Sequence, residues 1–486
     1  MNMIILYSQD DDEAIKSKIL VIHFLVSLGL AYHFENEIEH VVKVAFEKIA
    51  DLIADENDLY MISIMFRVFR TYGHDMSSDV FKRFKEDDGK FKRYLIEDVK
   101  GMLSFYEALH FRTTTDYILD EALSFTMSHL EPIATAQSSP AHISRLIQKS
   151  LHIPQHQNID ALVAREYISF YEQEENHDDT LLKLAKLNFK FLQLHYFQEL
   201  KTITLWWRGL DHTSKLPPNF RERTVETWLA ALMMYFEPQF SLGRIMSAKL
   251  YLAITFLDDA CDTYASIDEV MNLVDCIERW DPDYMGKLQG HMKTAFKFVM
   301  CVYKEYEDIL TSQGRLFVLE EMIEEFKIIV RTNLQLVKWA RGDYMPSFDE
   351  YIEAGGAEIG SYATITCSIM GLGEIGKKEA FEWMRSRPKE DIGKGYTANA
   401  LNYYMKHHGV TKEEAIKEFD KMIKDINKIV NEECLKTTHI SRRVLNQVIN
   451  YGRSLDVLYT SDDVYNHREG MFKEYITTLL VDPIHL

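Results

Sequence analysis

The chain has 486 residues, enough for two or three domains and a large core, and its 47% hydrophobic and 27% charged content is ordinary for a globular protein in water. The formal net charge of −20 excludes nucleic acid as an expected partner, because two polyanions repel each other. An acidic protein that binds an anionic substrate needs metal ions or a local cluster of basic side chains. The five cysteines show no C-x-x-C pairing and no ligand spacing, which predicts thiols in a reducing compartment.

The most apolar stretch near the N-terminus covers residues 19–32 and is interrupted by His23, Ser27 and Gly29. It is too short to span a membrane. It also follows the acidic run 10–13, whose charge has the wrong sign for a signal or organellar transit peptide. We therefore expect a cytoplasmic protein without a membrane span.

Nearly the whole chain is predicted to be helical, because there are only ten prolines and alternating strand patterns are rare. Amphipathic segments with short polar joints run from about residue 12 to 126, and a long helix is expected over Thr180–Trp207. A stretch rich in proline, glutamine and histidine lies between them. We place the domain boundary near residue 180, which gives helical domains at 1–180 and 181–486.

A strongly apolar run, 249–257, ends in Asp258, Asp259 and Asp262. In a helix, Asp258 and Asp262 stand one turn apart on the same face. Carboxylates at the C-terminal end of a buried helix meet the negative end of the macrodipole and lose hydration, and a bound Mg²⁺ ion would remove both objections. The alternative is an acidic helix end on a wet surface. The capping box predicted at 266–269 starts another helix at once, which favours a helix junction.

The segment 216–223 opens the second domain with two prolines, and a helix is predicted to begin there with Arg221 and Arg223 in its first turn. Backbone N–H groups and two guanidinium groups would together suit a phosphate. The alternative pairs these arginines with Glu222 or Glu226.

The two predicted helices would form an antiparallel hairpin. The first is expected to run to about Phe236 and the second back to Asp262, which makes them roughly 18 and 22 residues, or roughly 27 and 33 Å, long. Arg221 and Arg223 would then lie beside the aspartates. A cationic pair that faces a metal-binding acidic cluster is an arrangement for a diphosphate.

These residues resemble those of the plant class I terpene synthases, most like the sesquiterpene-forming type. The D-D-x-x-D motif is 258–262 and the R-x-R motif is 221–223. The resemblance runs from about Ile15 to Leu486, so it is more specific than any one motif. Further similar segments are Leu205–Trp207, Tyr235–Phe240 and Glu278–Asp281.

The resemblance implies an all-α protein in which an N-terminal α-barrel-like domain precedes a C-terminal class I domain. It implies a monomeric enzyme that uses Mg²⁺, with Mn²⁺ as an alternative, to ionise a prenyl diphosphate and to cyclise or rearrange the carbocation. Farnesyl diphosphate is the expected substrate, ahead of geranyl or geranylgeranyl diphosphate. The residues that take catalytic roles by resemblance are Asp258, Asp259 and Asp262, of which Asp258 and Asp262 bind metal. Those that contact the substrate by resemblance are Arg221, Arg223, Trp228, Asp463 and Tyr465.

The chain departs from the family at the second metal motif, (N/D)-D-x-x-(S/T)-x-x-x-E. Residues 381–388 lead almost directly into 395–400, so about twenty residues of the family pattern are expected to be missing. In the register of the motif, Glu390 replaces the first Asn or Asp and Lys394 stands at the Ser or Thr position. Only Asp391 fits as a metal ligand.

Three functions therefore stay open. The first is an active terpene synthase, and the second is an inactive or impaired homologue that keeps only the first metal motif. The third is a helical scaffold without catalysis. The R-R-x8-W segment that caps the active site in the family is also not found before Ile15, which leaves water exclusion open.

Two other patterns are not expected to bind ligands. The segment 371–376 fits G-x-G-x-x-G, but the chain has no alternation of strands and helices that would build a dinucleotide site. Its glycines are predicted to break a helix before Lys377. His407 and His408 precede Gly409, so they are predicted to be exposed at a helix C-terminus and not to bind metal.

Overall fold

The computed structural model describes residues 11–135, 140–210, 221–261, 265–342, 344, 346–386, 398–460 and 463–486. Within these ranges the secondary structure is helical, and strand-like pairing is limited to one isolated bridge between Lys85 and Phe91. The predicted all-α fold class is confirmed.

The helices alternate with short joints along the whole described chain. Those of the first half are α1 Asp12–Ser27, α2 Glu35–Glu47, α3 Ile49–Ala54, α4 Leu59–Thr71, α5 Val99–Leu109, α6 Tyr117–Thr135, α7 Ala141–His152, α8 Asp160–Tyr171 and α9 Asp179–Gly209. Those of the second half are α10 Thr224–Met234, α11 Ser241–Asp259, α12 Ile267–Arg279, α13 Gly290–Ser312, α14 Phe317–Arg341, α15 Phe348–Glu358, α16 Ser361–Gly371, α17 Lys378–Ser386, α18 Ala398–His408, α19 Lys412–Lys436, α20 Arg442–Tyr459 and α21 Met471–Ile476.

The described chain forms two compact units that are assembled from several segments. The first unit contains residues up to Leu194 together with 425–442 and 452–486, and the second contains 195–424 and 443–451. The helix α9 thus belongs to the first unit up to Leu194 and to the second from His195 onward. A division of the chain at a single point near residue 180 stays a prediction.

The first unit has a core in which α5 packs against both α4 and α6. A buried ion pair lies in this core. Arg70 is 3% exposed, and its Nη1 donates to Asp116 Oδ2 at 2.5 Å and to the carbonyl oxygen of Phe111 at 2.9 Å. Its Nε donates to the carbonyl oxygen of Met76 at 3.2 Å. One arginine therefore ties together the loops that follow α4 and α5.

In the second unit, α11 is the central helix and packs against α10, α13 and α16. The segment Pro238–Asp259 is long and apolar enough to cross a membrane, but 67% of its apolar 18-residue window is buried inside the structure, as in the core helix of a globular domain. It is the one candidate span among the described residues.

The helices α11 and α16 approach closely because a glycine stands on each side of their contact. A Cβ atom on Gly243 would lie 2.8 Å from the Cα of Gly371, and a Cβ atom on Gly371 would lie 2.1 Å from Tyr235 Oη. Gly371 is the first glycine of the G-x-G-x-x-G pattern, and Gly373 adopts a φ of +63° just after the helix ends. Gly371 therefore allows two helices to pack closely, and Gly373 follows the end of a helix. The described residues contain no strands that could build a dinucleotide site around this pattern.

Two local predictions agree with the structure. Ser266 and Glu269 form a capping box at the start of α12, where the Ser266 N–H donates to Glu269 Oε2 at 2.8 Å. His407 and His408 are exposed at the end of α18, and the following Gly409 has a φ of +67°. Both features depend on neighbours in sequence.

Candidate active site

The site begins with a helix hairpin, formed by α10, the linking residues 235–240 and α11. Its helices contain 11 and 19 residues, shorter than the roughly 18 and 22 expected from helix geometry and sequence pattern. The prediction that Arg221 and Arg223 lie in the first turn of α10 is wrong. The first helical hydrogen bond runs from Thr227 N to the carbonyl oxygen of Arg223, whose φ of −120° and ψ of 32° are not helical. Both arginines therefore precede the helix.

The open end of the hairpin brings a guanidinium group against a carboxylate. Arg223 Nη1 donates to Asp259 Oδ2 at 2.7 Å, and the two side chains are only 13% and 25% exposed. Partial burial strengthens such a charge-assisted hydrogen bond relative to one in water. The residue before α10 and the last residue of α11 are thus in direct contact.

Arg221 follows the alternative interpretation of the sequence. Its Nη2 donates to Glu226 Oε1 at 2.9 Å, and the Glu226 side chain is 0% exposed. The buried carboxylate of Glu226 therefore orients Arg221, whose own side chain is 31% exposed. A guanidinium group is the type of donor that an anion such as a phosphate prefers.

Carboxylates are the type of donor that a hard divalent cation prefers. Asp258 and Asp259 occupy the last turn of α11, both half-buried. Asp262 and Asp391 lie outside the described residues, so the predicted ligand set is not complete in the structure. Among the described residues no group of three or more His, Cys, Asp or Glu side chains is arranged to hold a metal. The donor chemistry of the α11 end fits Mg²⁺, and the assignment of ligands stays a prediction.

Trp228 is completely buried, with an exposed fraction of 0%. Its Nε1 donates to Glu199 Oε2 at 3.0 Å, and its ring meets the Tyr196 ring edge-on at a centroid distance of 5.7 Å. The indole is thereby held in one orientation beside the hairpin. Its predicted contact with the substrate remains a prediction.

Asp463 and Tyr465 belong to the first compact unit. Asp463 Oδ1 accepts a hydrogen bond from the backbone N–H of Asn466 at 3.0 Å, and its Oδ2 accepts from Asn466 Nδ2 at 2.8 Å. These contacts stabilise a local turn after α20. The predicted substrate contacts of Asp463 and Tyr465 stay predictions.

Polar but uncharged groups line part of the contact between α11 and α16. Tyr235 Oη lies 3.3 Å from Ser247 Oγ, which lies 3.5 Å from Cys367 Sγ. Burial raises the pKa of the Cys367 thiol to about 12 and raises the pKa of the Tyr251 phenol well above its ordinary value. These groups are therefore neutral at physiological pH, and the contact between the two helices carries no charge from them.

Two buried charged residues in this region were not predicted from the sequence. Glu199 and Arg244 are 1% and 0% exposed; Arg244 belongs to α11 of the hairpin, and Glu199 contacts the hairpin. Arg244 stands within the apolar helical pattern that leads to the aspartates, and this position was an indication that its side chain is buried. Its partner comes from α9, which the sequence pattern could not specify.

These features define a class of protein: an all-α chain in which two helix ends bring carboxylate and guanidinium groups together beside a buried helix. Comparison with protein families places the chain within that class. The model described as terpene synthase, N-terminal domain, matches residues 1–151, and the model of the terpene synthase family, metal binding domain, matches residues 208–391. The chain belongs to the terpene synthase family.

Two curated relatives from Arabidopsis thaliana are similar over nearly the full chain. Alpha-barbatene synthase is 75% identical over 499 residues, which cover 99% of this chain and 90% of the relative. (Z)-gamma-bisabolene synthase 2 is 57% identical over 502 residues, which cover 99% of this chain and 91% of the relative. Both alignments are longer than the 486-residue chain, so at least 13 and 16 of their positions have no residue here.

A solved structure has the same fold. Isoprene synthase from grey poplar leaves, in complex with three Mg²⁺ ions and dimethylallyl-S-thiolodiphosphate, superposes with a TM-score of 0.87 at 26% identity. The match covers 97% of this chain and 93% of that structure. The predicted family resemblance is confirmed.

Proposed function

We propose that this chain is a Mg²⁺-dependent terpene synthase that ionises farnesyl diphosphate and cyclises or rearranges the resulting carbocation. The observation that carries the proposal is the 2.7 Å contact between Arg223 and Asp259 at the open end of the hairpin. The choice of farnesyl diphosphate is supported by the similarity to barbatene and bisabolene synthases, which are sesquiterpene synthases. A monomeric state and a cytoplasmic location remain predictions.

The residues proposed to hold the metal are Asp258 and Asp262, with Asp391 as a further candidate. When bound, Mg²⁺ neutralises charge on the diphosphate, which makes it a better leaving group. The position of Asp258 at the C-terminal end of a buried helix favours this role, because the negative end of the macrodipole adds to the attraction for a cation.

Arg221 and Arg223 are proposed to hold the diphosphate oxygens. The buried Glu226 orients Arg221, and Asp259 orients Arg223, so both guanidinium groups are positioned before the substrate arrives. The allylic C–O bond then breaks, and its electron pair leaves with the diphosphate. Fixed N–H donors stabilise this developing negative charge more than water does, because they need no reorganisation. The carbocation cyclises or rearranges and ends as an olefin when it loses a proton to a base, for which the released diphosphate is available.

One alternative is supported by its own observation. The alignments with both relatives contain positions that have no residue in this chain, and the second metal motif is predicted to be incomplete around Asp391. A chain without these residues would bind the diphosphate through one wall of the site only. We therefore keep an impaired homologue as the second candidate function.

The deciding experiment incubates the full chain with Mg²⁺ and, separately, with farnesyl, geranyl and geranylgeranyl diphosphate, and detects products by gas chromatography with mass spectrometry. The proposal expects terpene products from farnesyl diphosphate, and no products from Asp258→Ala. Calorimetry with Mg²⁺ and inorganic diphosphate runs in parallel. Binding without products would favour the impaired homologue, and absence of both would refute the synthase proposal.

A further inference from the structure

The hairpin has a second end, at the linking residues 235–240, where a buried charge pair lies. Arg244 and Glu199 are 0% and 1% exposed, and two parallel hydrogen bonds join them. Arg244 Nε donates to Glu199 Oε2 at 2.9 Å, and Arg244 Nη2 donates to Glu199 Oε1 at 2.6 Å. A bidentate pair of this kind fixes the relative orientation of its two planar groups as well as their distance.

The remaining nitrogen of Arg244 holds the link between the two helices. Its Nη1 donates to the carbonyl oxygens of Tyr235 at 3.1 Å and Glu237 at 2.7 Å. Carbonyl groups at and beyond a helix end have no partner within the helix, so a buried end needs donors from elsewhere. Arg244 lies in the first turn of α11 and supplies two such donors to the chain that leaves α10.

Glu199 extends the same network to the other helix of the hairpin. Its Oε2 also accepts a hydrogen bond from Trp228 Nε1 at 3.0 Å. One carboxylate carried by α9 is therefore bonded to α10 through Trp228 and to α11 through Arg244. The hydrogen bonds and charge of Glu199 raise the pKa of the Arg244 guanidinium, although burial, the largest single influence, acts to lower it. The Arg244 guanidinium thus stays charged inside the protein.

Neighbouring side chains donate to two more carbonyl groups at this end. Tyr196 Oη donates to the carbonyl oxygen of Phe236 at 3.0 Å, and Asn450 Nδ2 donates to the carbonyl oxygen of Met234 at 2.7 Å. Side chains therefore hold much of the chain between α10 and α11, beside the backbone bond from Phe240 N to the carbonyl oxygen of Glu237, and Arg244 makes two of these side-chain contacts.

The two helices transmit this constraint to the open end. At 1.5 Å per residue, Trp228 is about 7.5 Å along the chain axis from Arg223, and Arg244 is about 22 Å along α11 from Asp259. If either helix slid or rotated, at least one bond to Glu199 would break. We infer that Glu199 and Arg244 are positioning residues that set the register of α10 against α11 and so hold Arg223 against the aspartate end of α11.

The inference concerns the position of the helix ends and rests on the proposed function only for its effect on diphosphate binding. The two parts are therefore tested separately. Arg244→Lys keeps the charge and loses the planar fork, and Glu199→Gln keeps an acceptor for Trp228 and loses the ion pair. The matched control is Arg70→Lys, which removes the same kind of buried bidentate contact from the first unit.

The first measurement is amide hydrogen exchange of the metal-free protein at residues 224–228 and 255–259, at a temperature where circular dichroism shows every variant folded. We expect exchange there to rise about tenfold in Arg244→Lys and by less in Glu199→Gln. Arg70→Lys should leave both segments unchanged. Equal exchange in Arg244→Lys and wild type would overturn the inference. An equal rise in the Arg70→Lys control would also overturn it, because the rise would then reflect a general loosening of the protein.

The second measurement is calorimetric titration with Mg²⁺ and inorganic diphosphate. If the wild type binds, Arg244→Lys should bind about tenfold more weakly while Arg70→Lys binds as the wild type does, since a tenfold change follows from a small shift of the binding groups. Unchanged binding in Arg244→Lys would refute the link to the site. If the wild type does not bind, the proposed function fails, and the exchange result still decides whether the pair positions the helix ends.

Discussion

Arg223 Nη1 donates to Asp259 Oδ2 at 2.7 Å, so the cation that precedes α10 contacts the anion that ends α11. These two residues stand 36 positions apart in the sequence. They meet because α11 runs back toward the N-terminal end of α10. The contact couples the cationic half of the candidate site to its acidic half. Its strength and its role can be measured independently of catalysis.

A double-mutant cycle tests this contact. Arg223→Gln and Asp259→Asn should each lower the free energy of unfolding, and the double variant should lose less than the sum, with a coupling energy of about 1 kcal/mol for a partly buried pair. Urea unfolding followed by circular dichroism gives the difference in free energy of unfolding between the wild type and each of the three variants. The control pairs Arg223→Gln with Asp275→Asn, whose carboxylate contacts Arg279, and should show no coupling. A coupling of zero between Arg223 and Asp259 would contradict the contact.

Asp258 is predicted to be required for metal-dependent binding of the diphosphate. Ligands that bind only the folded state stabilise it by about 2.7 kcal/mol at 100 times their dissociation constant, so Mg²⁺ with inorganic diphosphate should raise the melting temperature by several degrees. Asp258→Ala should abolish this rise. Asp420→Ala, an exposed aspartate on α19, is the control and should keep it. A rise that survives Asp258→Ala would place the metal elsewhere.

The stability of the chain should depend on pH through Asp456 on α20. Burial raises the pKa of this carboxyl to about 7 in spite of the nearby Arg453, from 3.8 in an exposed chain. Between about pH 4 and 7 the unfolded state releases this proton and the folded state keeps it. The contribution of Asp456 to the free energy of unfolding therefore falls as pH rises through this range and is constant above about pH 7.

The variant Asp456→Asn isolates this effect, because an amide does not titrate. Its melting temperature relative to wild type should increase from pH 5 to pH 7 and then level off. Thermal unfolding in matched buffers at pH 5, 6, 7 and 8 measures the difference. A difference that is constant over this range would show that the carboxyl has an ordinary pKa in the folded state.

Several elements could be predicted from the sequence because the interactions that specify them are local. The helix predicted over Thr180–Trp207 is Asp179–Gly209 in the structure, since a long amphipathic pattern needs no distant partner to be recognised. The capping box at Ser266 depends on two side chains three positions apart. The return of the hairpin was also predicted from its two helical patterns, although both helix lengths were overestimated.

The partners of the charged residues could not be predicted in the same way. Arg221 had two candidate roles, and the structure pairs it with the buried Glu226 because that carboxylate needs a charge partner inside the protein. Nothing in the pattern around Arg244 indicates that Glu199 on α9 is its partner, since the two are brought together only by packing. Tertiary packing determines which charged residues pair. Periodicity and spacing in one sequence do not reveal these pairs.

Gly371 is predicted to be required for the close contact between α11 and α16. In Gly371→Ala, the new Cβ atom would lie 2.1 Å from Tyr235 Oη, so the helices must separate, at a cost of about 1–3 kcal/mol as in other overpacked cores. Gly355→Ala is the matched control, since a Cβ on this helical glycine meets nothing within 4 Å and should leave stability equal or slightly higher. Chemical unfolding measures both variants.

The same clash has a specific remedy. Tyr235→Phe removes the hydroxyl group that the Cβ atom would meet first, so it should restore part of the stability lost in Gly371→Ala. Tyr235→Phe alone should destabilise the protein slightly, because Ser247 loses a hydrogen-bond partner. No recovery in the double variant would mean that the backbone of Gly243, and not the tyrosine, sets the limit.

The last prediction concerns the second metal motif, which is predicted to be incomplete in this chain. We expect the residues that alpha-barbatene synthase has and this chain lacks to fall between Pro388 and Gly395. Insertion of that segment should supply the missing carboxylate and hydroxyl ligands on the second wall of the site, because one or two carboxylates and a diphosphate leave Mg²⁺ ions incompletely held. Product formation from farnesyl diphosphate should rise by about tenfold or more, as expected when fixed charges are added at a reacting diphosphate.

The control insert has the same length, with the acidic and hydroxyl residues at its ligand positions changed to alanine. If the control raises activity equally, the segment acts by closing the pocket; if neither insert changes activity, the second motif is not what limits this chain.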